Sequence, residues 1–326
     1  MKVAVLTSRA RCEKFTDPAL IPDGCEIVWL GQEYTNADVL REAADAEAII
    51  VDAVLPVDAE LIAGMKKLKL IHSEGVGYDR IDVAAAKRAG VTVCNNRGVN
   101  AGQVAEHAVM LMLAVLHRLS EGDRLVRAGR QIETKTRFIQ EGLEDLSVRH
   151  VGILGLGAIG RELAKRLKPF GCRVSYFDTF RPDPAVEAEL GASFLPQAEL
   201  LSGCDVISLH VPVLPETRGL IRRDTLSLMR PETILINTAR GALVNDADLA
   251  EAIMNGTIYG AGLDTMDPEP VPADDPLILM PPPFSDRVIF TPHVAGTTKS
   301  VFFSAFRTIW RNIAAVARGE EPVNKV

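Results

Sequence analysis

Residues 151–167 read VGILGLGAIGRELAKRL, an apolar run that passes through three glycines into a helix-forming segment. Gly155, Gly157 and Gly160 stand in GxGxxG spacing. In that spacing the first glycine makes a tight turn and the second leaves room for a pyrophosphate beside the backbone. The third lets the helix pack closely on the strand. The helix N-terminus adds N–H groups and the positive end of its dipole. The same spacing also occurs as a simple packing turn, so its surroundings decide. The next apolar run, CRVSYFD at 172–178, ends on Asp178, 18 residues beyond Gly160, where a carboxylate would meet a ribose hydroxyl. Strand, glycines, helix and acid in this order predict dinucleotide binding. A carboxylate at 178 repels a 2′-phosphate and favours NAD over NADP, with nearby Arg181 pulling the other way.

The pattern extends in both directions. With 149–155 and 172–178, the runs at 205–211, 233–239, 259–264 and 287–292 make six strand candidates, separated by helical segments such as 158–168 and 246–255. Six parallel strands so arranged form a doubly wound sheet. Upstream, KVAVLT, EIVWL, EAIIVD, LKLIHSEG and VTVCNN alternate with stretches rich in Ala, Glu, Lys and Arg, which predicts another α/β domain. The proline-free NAGQVAEHAVMLMLAVLHRL, from Asn100, predicts a helix apolar on most faces, buried between domains or in a subunit interface. The stretch 120–147 is polar with no strong period. A last helix at about 297–318 follows the completed sheet and is free to return to the first domain. The expected fold class is α/β: a Rossmann doubly wound parallel sheet over 100–297, inserted into a smaller flavodoxin-like substrate domain of 1–99 plus 298–326.

Composition narrows the function. The 326 residues are 47% hydrophobic and 24% charged, ordinary for a soluble globular protein. A net charge of −7 gives no basic field for nucleic acid or an anionic membrane. The five cysteines are scattered without a CxxC pair, so reduced thiols in a cytoplasmic protein are expected, with no metal site. The longest apolar run, AVMLMLAVL at 108–116, has nine residues, well short of the roughly 20 a bilayer needs. The opening MKVAVLTSRA reads as a strand rather than a signal peptide.

Three later residues suggest chemistry. Arg240, in LINTARGALVND, follows the fourth strand candidate and stands between Ala239 and Gly241, an open setting for a guanidinium. Glu269 lies between two prolines in LDTMDPEP, and His293 follows Pro292 at the end of another strand, in IFTPHVAGTTKS. Taken alone, each reads as a solvated loop residue. All three fall at the carboxyl edge of one sheet, where ligands of open α/β sheets bind. Together they suit reduction of a 2-oxo acid. Histidine donates the proton, a carboxylate orients its ring, and arginine holds the substrate carboxylate and polarises the carbonyl.

With these segments assembled, the chain resembles the D-isomer-specific 2-hydroxyacid dehydrogenase family nearly end to end. The matching blocks are HVGILGLGAIGRELAKRL, LLSGCDVISLHVPVLPETRGLI, MRPETILINTARGALVNDADLAEAI, GLDTMDPEP and TPHVAGTT. The resemblance implies Arg240 as substrate-binding arginine, Glu269 as partner of the histidine and His293 as proton donor. It further implies that SEGVGYD (73–79) takes the substrate carboxylate on backbone N–H groups near Val76 and Gly77, with Asn100 near the hinge. For NAD it adds Ala158 and Ile159, the His210–Val211–Pro212 backbone, Thr217, and the Thr238–Ala239–Arg240 turn. Asp264 would hold the carboxamide, with His293 and Gly296 passing near the nicotinamide. Family members are typically homodimers, for which the helix 101–119 and the arm 120–147 would supply the interface. The chain departs from the family at LSVRH, with Val148 where a glycine is common, and in an arm lacking a common tryptophan. Candidate acids are glyoxylate or hydroxypyruvate, pyruvate, or phosphoglycerate for a short form, the chain being too short for an added regulatory domain. Glu269 argues against formate, since formate enzymes of this architecture use glutamine. A phosphite dehydrogenase and an NAD-sensing corepressor or scaffold of the same fold stay open.

Overall fold

Five of the β-branched runs near the N-terminus become short parallel strands in the computed structural model, which describes residues 1–326. They are β1 (Lys2–Leu6), β2 (Glu26–Trp29), β3 (Ala48–Val51), β4 (Leu70–Ser73) and β5 (Thr92–Cys94), in the order β2-β1-β3-β4-β5. Val3–Leu6 and Ala48–Val51 are fully buried, as expected of strands covered on both faces. The helices between them begin on side-chain caps. Thr35 and Asp38 form a capping box, and Asp58 and Asp82 accept from backbone N–H groups three residues on.

The helix Lys299–Ala317 completes this layer, burying Phe306, Ile309, Trp310 and Ile313 against the sheet. Asn312 pins it: Nδ2 lies 3.0 Å from His72 Nε2, and Oδ1 accepts from Val323 N at 2.9 Å. His72 Nδ1 faces the Ser73 carbonyl at 2.9 Å, so Nδ1 carries the proton and Nε2 accepts from Asn312. Burial pushes the His72 pKa down to about 4, which keeps this ring neutral.

Seven further parallel strands make the second sheet: β6 (His150–Leu154), β7 (Arg173–Phe177), β8 (Ala192–Phe194), β9 (Val206–Leu209), β10 (Ile234–Asn237), β11 (Gly260–Leu263) and β12 (Val288–Phe290). Their order is β12-β11-β10-β9-β6-β7-β8. This is the doubly wound α/β fold the sequence predicts, with one strand more. The extra strand, β8, has three residues of which only Ala192 is buried, too short to show a period. Connections leave β6 toward β7 on one side and return to β9 on the other, opening a crevice at the carboxyl ends of β6 and β9.

Two more expectations change. The helix at 101–119 stops at Leu116, and its apolar faces are accounted for within this layer. Ala105, Ala108, Leu111, Met112 and Val115 pack with Leu163, Ala164 and Ile236. The polar stretch 120–147 forms two helices, Leu119–Arg127 and Gln131–Glu141. No helix is long and apolar enough to cross a membrane. The chain splits into two units, Met1–Asn100 with Thr297–Val326, and Ala101–Gly296.

Candidate active site

The three glycines of 151–167 each meet a different constraint. Gly155 has φ +99°, and a Cβ there would fall 2.6 Å from the His210 carbonyl oxygen. A Cβ on Gly160 would lie 2.1 Å from the Gly155 carbonyl, so the helix Ala158–Leu167 can start only where no side chain intervenes. Gly157 has no neighbour within 4 Å of that position, and no side chain caps the helix. The turn thus exposes backbone N–H groups at a helix N-terminus beside an open approach, as a pyrophosphate requires. Asp178 accepts from Leu156 N at 2.7 Å and from Phe180 N at 3.0 Å, fixing the end of β7 against this turn. Arg181 is committed elsewhere: its guanidinium pairs with Glu187 through Nε at 2.8 Å and Nη2 at 3.2 Å.

Buried polar atoms without a protein partner follow the carboxyl ends of three strands in this sheet. They are His210 Nδ1 after β9, Thr238 Oγ1 after β10 and Thr265 Oγ1 after β11. Buried polar groups are normally satisfied, so such a row fits the edge of a polar ligand. Ser208 Oγ lies 2.8 Å from His210 Nε2, and burial drives the His210 pKa down to about 3. The Thr217 hydroxyl is spent within its own turn, donating to the Pro212 carbonyl at 2.6 Å and accepting from Leu214 N at 2.7 Å. Val211 and Pro212 therefore sit in a braced segment.

At the far end of the sheet, His293 Nδ1 is 2.8 Å from Glu269 Oε2, the histidine side chain 32% and the glutamate 51% exposed. His293 has φ +54°, a conformation few side chains adopt, and the surrounding bonds enforce it. Its N–H donates to the Asp264 carbonyl at 2.8 Å. Asp264, 2% exposed, accepts from Val294 N and Ala295 N at 2.9 Å each and from Thr291 Oγ1 at 2.5 Å. Since Thr291 donates to a carboxylate, it accepts from His107 Nε2, 2.9 Å away. Gly296 follows this turn. Sequence reasoning missed His107 and Thr291; the signal was a lone histidine on a mostly apolar helix.

Arg240 leaves the end of β10 on a turn shaped by Asn237, which bonds Ala239 N through Oδ1 at 3.0 Å and the Arg240 carbonyl through Nδ2 at 2.8 Å. Its Nη1 donates to the Ala239 carbonyl at 2.8 Å. The setting is less open than the sequence suggests. A Cβ on Gly241 would strike the Met266 carbonyl carbon at 2.0 Å, so that glycine lets the Glu269-bearing loop cross the Arg240 turn.

Val76, Gly77 and Asn100 belong to the other unit. Four consecutive carbonyls, Glu74 to Gly77, are held by inward donors: Asn96 Nδ2, Asn96 N, Asn95 Nδ2 and Ser73 Oγ. C=O and the next N–H point oppositely across a trans peptide, so the Val76 and Gly77 N–H groups face away from those donors.

A doubly wound sheet with this glycine turn and a carboxylate-bound histidine at one edge defines the class of NAD-linked dehydrogenases. Comparison with known proteins carries this further. Residues 109–295 match the profile described as D-isomer specific 2-hydroxyacid dehydrogenase, NAD binding domain. The chain is 36% identical over 288 residues to the glyoxylate reductase of Korarchaeum cryptofilum, covering 88% of this chain and 85% of that one. It is also 36% identical over 285 residues to the D-3-phosphoglycerate dehydrogenase of Archaeoglobus fulgidus, covering 87% of this chain but 52% of that protein, about half its length. The holo D-mandelate dehydrogenase of Rhodotorula graminis matches with a TM-score of 0.87 at 26% identity, covering 100% of this chain and 97% of its own. The chain belongs to the D-isomer specific 2-hydroxyacid dehydrogenase family. It is an oxidoreductase that uses NAD and acts on the CH–OH group of 2-hydroxy acids.

Proposed function

We propose that this enzyme reduces a small 2-oxo acid to its D-2-hydroxy acid with His293 as proton donor, Glu269 as its orienting partner and Arg240 on the substrate carboxylate and carbonyl. The observation that carries the reading is the 2.8 Å bond between His293 Nδ1 and Glu269 Oε2. With Nδ1–H given to Glu269, Nε2 is the nitrogen that faces substrate. A nicotinamide bound here would supply the hydride that reduces the carbonyl carbon. Nε2–H then gives its proton to the carbonyl oxygen as charge develops there, and Arg240 offsets that charge. In the reverse direction His293 takes the proton back. The N–H groups of Val76 and Gly77 receive the substrate carboxylate, and Asn100 stands at the hinge.

The unit Ala101–Gly296 is then the NAD domain and the discontinuous unit the substrate domain. Gly155, Gly157, Ala158, Ile159 and Gly160 hold the pyrophosphate. Asp178 takes the ribose, favouring NAD over NADP because Arg181 is engaged by Glu187. His210, Val211, Pro212, Thr217, Thr238, Ala239 and Gly296 would help to hold the cofactor. Asp264 already accepts three hydrogen bonds and has about four acceptor sites, one of which suits a carboxamide N–H. The arm 120–147 and the residues on either side of it carry exposed Leu119, Val126, Ile132, Ile139 and Val148, which a second copy of the chain would cover. Five free thiols suit the cytoplasm.

The test is a panel of glyoxylate, hydroxypyruvate and pyruvate with NADH and NADPH side by side. NADH should be consumed with at least one acid, and faster than NADPH. His293→Ala should lower turnover by about 10²- to 10⁴-fold with NADH affinity retained, whereas Arg240→Ala should also raise the substrate KM. Unchanged NADH absorbance across the panel, or full turnover in His293→Ala, would sink the reading.

A further inference from the structure

At the carboxyl ends of the first sheet, one cluster of charged side chains takes no part in the chemistry above. Thr7 follows β1, Asp52 follows β3 and Glu74 follows β4. The Arg11 guanidinium joins all three: Nη2 lies 2.7 Å from Thr7 Oγ1, 2.6 Å from Asp52 Oδ2 and 2.7 Å from Glu74 Oε2, with Nε 2.6 Å from Glu74 Oε1. Gln32 Nε2 donates to Asp52 at 2.9 Å. The Asp52 side chain is 14% exposed and that of Glu74 4%, so both carboxylates are shielded from water. Two carboxylates face one guanidinium, and Arg11 has no charge left to offer an incoming anion.

This cluster adjoins the loop assigned to the substrate carboxylate. A Cβ built on Gly75 would fall 2.8 Å from Ala53 Cβ, so Asp52, Ala53 and the exposed Val54 stand directly beside the turn that presents Val76 and Gly77. A group attached to the substrate beyond its carbonyl and lying along this wall meets Ala53 and the exposed Val54, next to an ion-paired cluster in which two carboxylates share one guanidinium. We infer that the wall selects 2-oxo acids whose carboxylate is their only anionic group, with hydrogen, methyl or hydroxymethyl beyond the carbonyl, and rejects a phosphate ester at that position. Like charges brought together away from bulk water repel strongly, and a phosphate needs a cation or free N–H groups that this wall does not supply. The inference rests on the proposed carboxylate role of Val76 and Gly77, and deepens it by naming the substrate class. It sides with the relatives named for glyoxylate over those named for phosphoglycerate.

Hydroxypyruvate and its 3-phosphate differ by one phosphate, so their kcat/KM values with NADH give a direct comparison. If another acid of the panel is reduced best, the phosphate ester is compared with that acid. The wild type should favour the unphosphorylated acid by at least about 100-fold. Raising ionic strength from about 0.01 to 0.5 M should narrow that ratio by less than Asp52→Asn does, because salt screens partly buried charges less than exposed ones. Asp52→Asn, its folding checked by thermal melt, should narrow it by about 5- to 10-fold. Equal or better use of the phosphate ester overturns the inference, as does a ratio untouched by both salt and Asp52→Asn. So does phosphate-ester turnover that depends on Arg80 or Arg97, the exposed arginines of neighbouring loops. These outcomes leave the dehydrogenase reading standing, whereas failure to reduce any 2-oxo acid removes both.

Discussion

Gly155, Gly157 and Gly160 share a residue type for three separate reasons, and single substitutions can tell them apart. A methyl on Gly160 would collide with the Gly155 backbone at 2.1 Å, whereas Gly157 has open space and a φ of −71° that alanine adopts. Gly157→Ala should therefore change apo stability by no more than about 1 kcal/mol, a helix-cap effect, yet weaken NADH binding at least about 10-fold. Gly160→Ala should lower the apo melting temperature itself. Calorimetry with NADH titration checks both, and a Gly157→Ala protein that binds NADH normally would remove the pyrophosphate assignment. Glu269 and His293 could be picked out in sequence only as a set with Arg240, because all three fall at the carboxyl edge of one sheet. His107 and Thr291 could not, lying 184 residues apart with their bond existing only through the fold.

Among elements, the central strands of both sheets were readable because burial on two faces demands continuous apolar runs. Strand β8 and the arm helices were not: one is too short, and the others are half exposed with mixed faces. The helix Asp246–Met254 carries a testable electrostatic consequence. Burial, and then repulsion from Asp275 and Asp267, raise the Asp246 pKa to about 7. The unfolded chain releases that proton near the ordinary value of 3.8, so between these values the folded state holds more protons. Stability contributed here is present at low pH and lost as pH rises toward 7. Asp246→Asn should melt above the wild type at pH 8, with the gap closing toward pH 5. Parallel melting curves at every pH would contradict it.

For the whole molecule, the dimer proposed above makes a demand on the arm. Ile132 and Ile139, each 71% exposed, lie two turns apart on one helix face, and Ile139 lines an open groove of about 710 Å³ together with Val126, Phe138 and Leu143. Light scattering should give about twice the 35.3 kDa chain mass, and Ile132→Asp with Ile139→Asp should halve it. A wild-type monomer at all concentrations would refute the dimer.

What the sequence alone determined is what local rules encode. Alternating apolar runs specify an α/β chain, glycine spacing with Asp178 predicts a dinucleotide turn, and Pro–His at a strand end marks a candidate position for chemistry. These depend on steric and dipolar demands that act within about twenty residues. Tertiary structure alone decided which distant groups meet. Asp264 clamps the His293 turn, Gly241 yields to the Glu269 loop, and Arg11 is consumed by Asp52 and Glu74. Such contacts join strands far apart in the chain, and a pairwise charge or hydrogen bond leaves no periodic trace in sequence until the sheet brings its partners together.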